Sequence, residues 1–375
     1  MNKKIIILLF SIFLDILGFS FILPIVPFIV KGFGGNSFSV GLIVAGAAAG
    51  MFIGGILFGK LSDKYGRKKI LSITILLNIL GYLVFAVSSN LKIFFIARFL
   101  CGLGGGGVSV VQAYISDISK EKEKIINMGY VGASIGLGFT LGPIFGSFMS
   151  SLELKHMGFI SALILIISFI FVYLFLPEEK PKVHKETHLK GTSNKLLILF
   201  LIYFITTITF SGIQTIFTLY LNSEFLFSSK NVGYVFGYMG IVSIIYQIFG
   251  IKYAYKYLKE YYMIIFGMLF MGVGLVLIGF NTNIFLLYIL LIPVAVGLSN
   301  INSSVFSLVT NVSSKKDFGK NLGLNTAFGS VADIIGPLVS GALYLISNNL
   351  PFYVFGIMLL IIMIIFSFNK SKIIS

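Results

Sequence analysis

The chain alternates between long apolar segments and short polar linkers. A transmembrane helix needs about 20 consecutive apolar residues, and twelve segments reach that length. Their approximate bounds are 5–30, 39–59, 70–88, 92–114, 126–150, 157–177, 195–221, 231–252, 261–280, 284–311, 319–346 and 351–369. The longest linker, 178–194, is rich in Lys and Glu and divides the segments into two sets of six. The pattern predicts twelve transmembrane helices.

Composition supports the same class of protein. Hydrophobic residues make up 57% of the chain and charged residues only 11%, whereas soluble domains are about 25% charged. A soluble core could not bury so many apolar side chains, so we predict an all-α integral membrane protein. The net charge of +15 does not indicate nucleic-acid binding, because the basic residues lie in short loops between apolar segments.

The distribution of Lys and Arg predicts the orientation. With twelve helices and both termini on one side, the loops on that side hold 23 basic residues and the opposite loops hold 4. By the positive-inside rule, both termini and the central loop are expected in the cytoplasm, and the protein in the cell membrane. The predicted domains are a six-helix bundle at 1–177, a cytoplasmic loop at 178–194 and a second six-helix bundle at 195–375.

The linker after the second apolar segment is a tight basic turn. Residues 59–69 read GKLSDKYGRKK and match, at every position, the G-x-L-[SA]-D-[RK]-x-G-R-[RK] signature of the major facilitator superfamily. The chain therefore resembles that family, which implies two six-helix bundles around a central cavity. It also implies a cytoplasmic gating motif, whose members here are Gly59, Asp63, Gly66, Arg67 and Asp117.

Predicted helix 5 carries a regular series of small residues. Such a face lets helix backbones approach closely in lipid, and a proline within it permits a kink. The series resembles the family's antiporter motif, which marks exporters, although tight packing alone would also explain it. Its members are Gly129, Gly138, Gly142, Pro143 and Gly146. Predicted helix 11 repeats the spacing around Gly336 and Pro337, as expected for parallel repeats.

Three charged residues fall well inside apolar segments, away from the segment ends: Asp15, Arg98 and Asp333. A charge within a membrane costs about 2.5–3.5 kcal/mol and is functional by default. Asp15 and Arg98 are expected at similar depths, where they would pair, and the three residues are candidates for proton coupling. The alternatives are a static ion pair, extension of Arg98 to the outer interface, and a hydrogen-bonded buried acid at Asp333.

The residues around these charges indicate which branch of the family the chain resembles. The run from Asp15 to Phe19, with Pro24 and Pro27 after it, resembles helix 1 of the drug-exporting branch, tetracycline/proton antiporters in particular. The family's helix-4 pattern R-x-x-x-G is present at Arg98, but Cys101 stands where glutamine is usual. The acids that tetracycline exporters carry in helices 3 and 9 are absent. We therefore expect an unspecified drug or amphipathic molecule as the substrate.

In the family, helices 1, 4, 7 and 10 line the cavity. Polar residues on these helices are the predicted substrate-binding residues: Gln112, Thr207, Ser211, Gln214, Asn300 and Ser304. Neither a catalytic site nor a metal site is predicted, since His184 and His188 have metal-like spacing but lie in the charged central loop. The expected partners are the substrate, protons and the lipid bilayer, and we expect a monomer.

The resemblance thus predicts a transporter rather than an enzyme. It implies proton-coupled export of drugs or small amphipathic molecules by alternating access, powered by the proton gradient without a cofactor. Two alternatives stay open: a proton-coupled importer of a small metabolite with the same fold, and a receptor or scaffold that transports nothing.

Overall fold

The computed structural model describes residues 3–120, 123–149, 152–178, 194–313 and 318–368. Within those ranges the chain is helical, and twelve helices are long and apolar enough to cross a membrane. They are α1 (Lys3–Phe21), α2 (Ser37–Tyr65), α3 (Arg67–Ala86), α4 (Leu91–Ile118), α5 (Lys124–Met149), α6 (Leu154–Phe175), α7 (Asn194–Phe225), α8 (Ser229–Tyr257), α9 (Glu260–Phe280), α10 (Ile284–Val312), α11 (Phe318–Ile346) and α12 (Leu350–Phe368).

The first span is shorter than predicted. A single helix over 5–30 was expected, but α1 ends at Phe21 and a separate short helix runs over Val26–Gly32. Pro24 and Pro27 explain the break, because proline lacks a backbone N–H and disrupts the preceding turn of a helix. Pro27 itself is tolerated near the start of the short helix, where the missing N–H has no partner to lose.

Two other spans have local irregularities. In α4, Gly106 separates two helical parts, and a side chain there would come within 2.5 Å of the Gly55 nitrogen on α2. In α8, the segment Tyr246–Gly250 forms a π-helical turn. Such turns within α-helices are frequent at functional sites.

Internal contacts divide the chain into two compact units. The first unit comprises Met1–Lys185 and Ser228–Gly237, and the second comprises Glu186–Phe227 and Tyr238–Ser375. In the first unit, α1 packs on α5 and α6, while α4 packs on α2 and α3. In the second unit, α7 packs on α11 and α10, while α9 packs on α10 and α12. Each unit thus has its own set of helix crossings.

Candidate functional site

An ion cluster joins the adjacent ends of α2, α3 and α4. Arg67, the first residue of α3, donates from Nε to Asp117 Oδ2 at 2.8 Å and from Nη1 to Ser62 Oγ at 2.6 Å. The same Nη1 lies 2.6 Å from Asp63 Oδ1. The side chains of Arg67 and Asp117 are each 3% exposed, whereas Asp63 is 62% exposed. The structure therefore brings together the three charged residues of the predicted gating motif.

The turn that presents Arg67 depends on glycine and on a residue from further along the chain. Gly66 has φ of +102°, which a residue with a side chain rarely adopts. Beside it, the Glu178 carboxylate accepts hydrogen bonds from the backbone N–H groups of Lys68 and Lys69 at 3.0 and 3.1 Å. A carboxylate at a helix N-terminus satisfies free donors and matches the helix dipole. Glu178 therefore anchors the start of α3 from the chain that follows α6.

The small residues of α5 form its crossing with α1. A side chain at Gly138 would come within 2.8 Å of Ile16, and one at Gly142 would overlap Ser20 Oγ. The Ser20 hydroxyl also donates to the Gly138 carbonyl at 2.8 Å. Gly146 meets the α1 backbone in the same way, but Gly129 has nothing within 4 Å of its β position. The contact thus covers three of the four motif glycines, and Pro143 lies within the helix.

Asp15 and its neighbours form a polar group in the apolar interior of the first unit. Asn78 of α3, which is 2% exposed, donates a hydrogen bond from Nδ2 to Asp15 Oδ1. Tyr82, one helical turn beyond Asn78, lies against Gly18 of α1. Cys101 and Arg98 of α4 complete the group. Three helices therefore contribute to the environment of one carboxylate.

The predicted ion pair between Asp15 and Arg98 is not formed. Arg98 is 1% exposed, and its three guanidinium nitrogens have no hydrogen-bond partner within the described part of the chain. Its guanidinium carbon lies 4.9 Å from the centre of the Phe19 ring, in a cation–π contact. The Tyr82 hydroxyl is near the guanidinium, but the geometry makes no hydrogen bond. Asp15 and Arg98 thus have different contacts, Asp15 with the Asn78 amide and Arg98 with the Phe19 ring.

The third predicted charge lies in the second unit. Asp333 on α11 is near Tyr203 of α7, and no ion pair to it is found among the described residues. Gly336, one turn further along, packs on the backbone of α7 at Gly212. Asp333 therefore borders a close α7–α11 crossing without a charged neighbour.

The predicted substrate-binding residues differ in their exposure. Gln112 is exposed, and Thr207 and Gln214 are half-buried. The other three, Ser211, Asn300 and Ser304, are buried. Ser211 lies at the α7–α11 crossing, with its hydroxyl 3.4 Å from the Ala332 carbonyl, so it supports packing there.

A cavity of about 400 Å³ lies between α8 and α10 in the second unit. Beside it, the Tyr246 hydroxyl, in the π-helical turn, donates to Asn300 Oδ1 at 2.7 Å. The lining contains no charged side chain and consists of Val242, Ile245, Tyr246, Phe249, Gly250, Tyr253, Ile292 and Val296.

Sequence reasoning missed three residues that the structure places at these sites: Asn78, Glu178 and Tyr246. Asn78 had a readable signal, because it is an amide in the middle of an apolar segment. Nothing in the sequence connected Glu178 with Gly66, since their contact depends on the tertiary fold. As for metals, no suitable group of three ligands occurs in the ranges the structure covers, and His184 and His188 lie outside them.

Twelve apolar helices with ionisable groups buried among them define a multi-pass membrane protein. The sequence model of the Major Facilitator Superfamily matches residues 8–257 and 199–372 of the chain. The chain therefore belongs to this family of transporters. It is 28% identical to the quinolone resistance protein NorA of Staphylococcus aureus (strain MSSA476), over 94% of this chain and 93% of that protein. It is 27% identical to multidrug resistance protein 2 of Bacillus subtilis (strain 168), over 95% and 92%.

Solved structures show the same fold. The human organic anion transporter MFSD10 (TETRAN) matches with a TM-score of 0.75 and 21% identity, over 98% of this chain and all of that one. A bacterial homolog of the human lysosomal transporter Spinster matches with a TM-score of 0.83 and 11% identity, over 100% and 98%. At these identities the likeness describes the fold alone.

Proposed function

We propose that this transporter exports drugs or other small amphipathic molecules in exchange for protons. The relatives named for quinolone and multidrug resistance support drug export, because each aligns with more than nine-tenths of the chain. Export is also favoured by the α5 glycine motif, which resembles that of the family's antiporters. The proton gradient supplies the energy in this proposal, and no cofactor takes part.

The observation that carries the proton-coupling proposal is the polar group around Asp15 and Arg98. An unpaired guanidinium buried in an apolar interior costs free energy that only function or a compensating contact justifies. Arg98 keeps its charge under all working conditions, whereas a carboxylate can take up and release a proton. Asp15 is therefore our first candidate for the coupled proton, and Asp333 is the second.

We infer from the Lys and Arg distribution that both termini and the central loop are cytoplasmic. The Arg67 cluster then lies at the cytoplasmic ends of α2, α3 and α4. By resemblance to the family, this cluster stabilises one of the two access states, and transport alternates between them. The working unit in this proposal is a monomer in the lipid bilayer.

The substrate is proposed to be lipophilic and only partly polar. Binding sites for drug-sized molecules are mostly apolar cavities of about 300–1,000 Å³ with a few polar groups. The cavity between α8 and α10 has that character, with aromatic rings and the Tyr246–Asn300 hydrogen bond beside it. Tetracycline is not preferred, because α3 and α9 contain no acid within their apolar parts.

A drug-susceptibility panel in a bacterial host that lacks its own efflux pumps tests the proposal. The host should carry the wild-type chain or the Asp15→Asn variant, and the panel should include norfloxacin, ethidium and tetracycline, each with and without a protonophore. We expect resistance to norfloxacin or ethidium, its loss with the protonophore and its loss in Asp15→Asn. A Thr74→Val variant, altered at a buried hydroxyl that bonds only within its own helix, is the matched control.

Each alternative gives a different result. An importer would increase sensitivity to a drug or drive uptake of a labelled metabolite, and a receptor would change neither. Strong resistance to tetracycline alone would contradict the preferred substrate class. If Asp15→Asn still concentrates substrate with an intact proton dependence, Asp15 is excluded and Asp333 becomes the leading candidate.

A further inference from the structure

Asn78 occupies a fixed position beside Asp15. It lies where α3 crosses α4, and a side chain at Gly104 would come within 2.6 Å of the Asn78 Cβ and 2.7 Å of its nitrogen. The close crossing holds the Asn78 backbone in place and leaves its amide directed to α1. There Nδ2 donates to Asp15 Oδ1. No other side chain in the described ranges makes a hydrogen bond to Asp15.

The other end of the same amide has no partner. Asn78 Oδ1 is buried and accepts no hydrogen bond from any described group. A buried acceptor left unsatisfied is costly, so native proteins keep few of them. Here the unused oxygen belongs to the residue that already contacts Asp15, which suggests that the carboxyl itself is its second partner.

We propose that Asn78 is a positioning residue for Asp15 that accommodates both of its protonation states. The inference rests on the proposed function, in which Asp15 carries the coupled proton. With Asp15 ionised, the amide donates from Nδ2 to the carboxylate. When a proton from the aqueous phase binds Asp15, the amide makes a half-turn and Oδ1 accepts a hydrogen bond from the new O–H.

The chemistry of the amide suits this task. An amide carries a donor and an acceptor at opposite ends, so one rotation exchanges them. An ionised carboxylate only accepts hydrogen bonds, whereas a protonated carboxyl also donates one. In each state Asp15 therefore keeps a hydrogen bond to Asn78. Leucine at this position would provide neither a donor nor an acceptor.

The remaining charged or titratable groups around Asp15 make no hydrogen bond to it within the described residues, and this includes the Tyr82 hydroxyl, which could otherwise both donate and accept. The titratable or charged side chains near it are Tyr82 on α3 and Arg98 and Cys101 on α4. The other helices packed on α1 meet it through uncharged residues, such as Gly138 of α5 at Ile16, Phe139 of α5 at Phe19 and Ser168 of α6 at Ser11. Arg98 can only donate, and it lies over the Phe19 ring. Asn78 is thus the neighbour in direct contact that both donates and accepts.

Infrared difference spectroscopy of the purified full-length protein in lipid tests the inference without a substrate. Spectra recorded at low minus high pH should contain a carboxylic C=O band that Asp15→Asn lacks. With ¹³C-labelled asparagine, a side-chain amide band should change together with it. Asn78→Leu should remove the amide change and move the Asp15 band, while Thr74→Val should keep both bands. An Asp15 band that is unchanged in Asn78→Leu would overturn the proposal.

A transport assay in proteoliposomes tests the role of Asn78 in proton-driven transport, with ethidium as the probe and an imposed proton gradient. Asn78→Leu should lower gradient-driven accumulation roughly tenfold or more, the scale of losing one hydrogen bond to a charged group. Asn78→Ser should preserve most of it, because a hydroxyl also donates and accepts. Downhill ethidium movement without a proton gradient should be similar in all variants, which separates coupling from folding.

The outcomes distinguish this inference from the proposed function. If wild-type protein accumulates no ethidium and shows no Asp15 band, the proposed function and the inference fail together. If wild-type protein is coupled and Asn78→Leu is equally coupled, the role of Asn78 alone is wrong. Equal losses in Asn78→Leu and Asn78→Ser would indicate packing rather than hydrogen bonding, and would also overturn the inference.

Discussion

The two units use the same helix crossings but fill them with different chemistry. In the first unit, a side chain at Gly104 would meet the nitrogen and Cβ of Asn78, and in the second, one at Gly297 would meet the same atoms of Met271. Gly297 follows Gly104 by 193 residues, and Met271 follows Asn78 by the same number. The backbone contacts are therefore repeated, while the side chains beside them are not.

The same offset of 193 residues identifies the second-unit counterparts of the polar residues around Asp15. Tyr82, Arg98 and Cys101 correspond to the buried residues Leu275, Leu291 and Val294. The α1–α5 and α7–α11 crossings are also equivalent, because Gly142 meets Ser20 as Gly336 meets Ser211. By that match, Asp15 corresponds to Thr206.

The comparison separates two kinds of residue. Small residues at the crossings occur in both units, so they belong to the common scaffold. The counterparts of Asn78, Tyr82, Arg98 and Cys101 in the second unit are apolar, and the counterpart of Asp15 is the uncharged Thr206, so the scaffold packs there without a buried charge. We therefore assign the cost of the first unit's polar group to function rather than to folding.

The largest effect is expected at the shared crossings. Gly142→Leu and Gly336→Leu should each abolish transport, because a leucine cannot fit where a β carbon already overlaps the neighbouring helix. Gly136→Leu is the matched control on α5, since nothing lies within 4 Å of its β position. Drug resistance and the amount of protein in the membrane are the measurements. Normal transport by Gly142→Leu would contradict the packing argument.

The next prediction separates function from stability at Arg98. Arg98→Leu installs the residue that the second unit has at the corresponding position. It also removes a buried charge that has no hydrogen-bond partner among the described residues. Replacing buried charges by apolar residues is often neutral or stabilising by about 1–4 kcal/mol. We expect an unchanged or higher Tm together with a loss of proton-driven export.

The reciprocal change provides the control for that prediction. Leu291→Arg should lower Tm, because it buries a charge where Met271, Leu275 and Val294 take the places of Asn78, Tyr82 and Cys101. A lower Tm for Arg98→Leu would show instead that the guanidinium stabilises the fold through its contact with Phe19.

A smaller effect is expected within the Arg67 cluster. Asp63→Asn should reduce transport with near-normal folding, since Asp63 is exposed and surface ion pairs contribute only about 0–1 kcal/mol. Asp117→Asn should destabilise the protein more, because removing one partner of a buried pair costs about 3–5 kcal/mol. Thermal unfolding and transport measured on both variants test this order. Equal Tm values for the two variants would show that burial does not determine how much each carboxylate stabilises the fold.

Much of the scaffold could be predicted from sequence, because its signals are local. Twelve apolar segments, the basic turn at 59–69 and the α5 glycines each carry their information within one helix or loop. The break after Phe21 was readable from Pro24 but was not anticipated. The contacts of Asp15 and Arg98 depend on how three helices rotate relative to one another, and apolar periodicity leaves those rotations undetermined. The expected Asp15–Arg98 pair therefore failed, although both residues were identified.

The smallest effect concerns the residue that corresponds to Arg67. Glu260 follows Arg67 by 193 residues and begins α9 as Arg67 begins α3. Its Oε1 accepts hydrogen bonds from Tyr255 at 2.9 Å, Ser307 at 3.1 Å and Asn311 at 3.4 Å. At this end of the second unit a carboxylate therefore takes the place of the guanidinium, and it accepts hydrogen bonds from uncharged donors.

That difference predicts unequal responses to the same substitution. Glu260→Gln keeps an oxygen acceptor for the three donors. It loses the favourable charge at a helix N-terminus, which is worth about 0.3–1 kcal/mol, and the attraction to the neighbouring Lys259. Arg67→Gln removes the cation from the buried Arg67–Asp117 pair and should cost about 3–5 kcal/mol. Thermal unfolding of the two variants measures the contrast. A loss at Glu260 as large as that at Arg67 would show that its charge stabilises the fold as strongly as the buried Arg67–Asp117 pair does, and the contrast between the two units would be wrong.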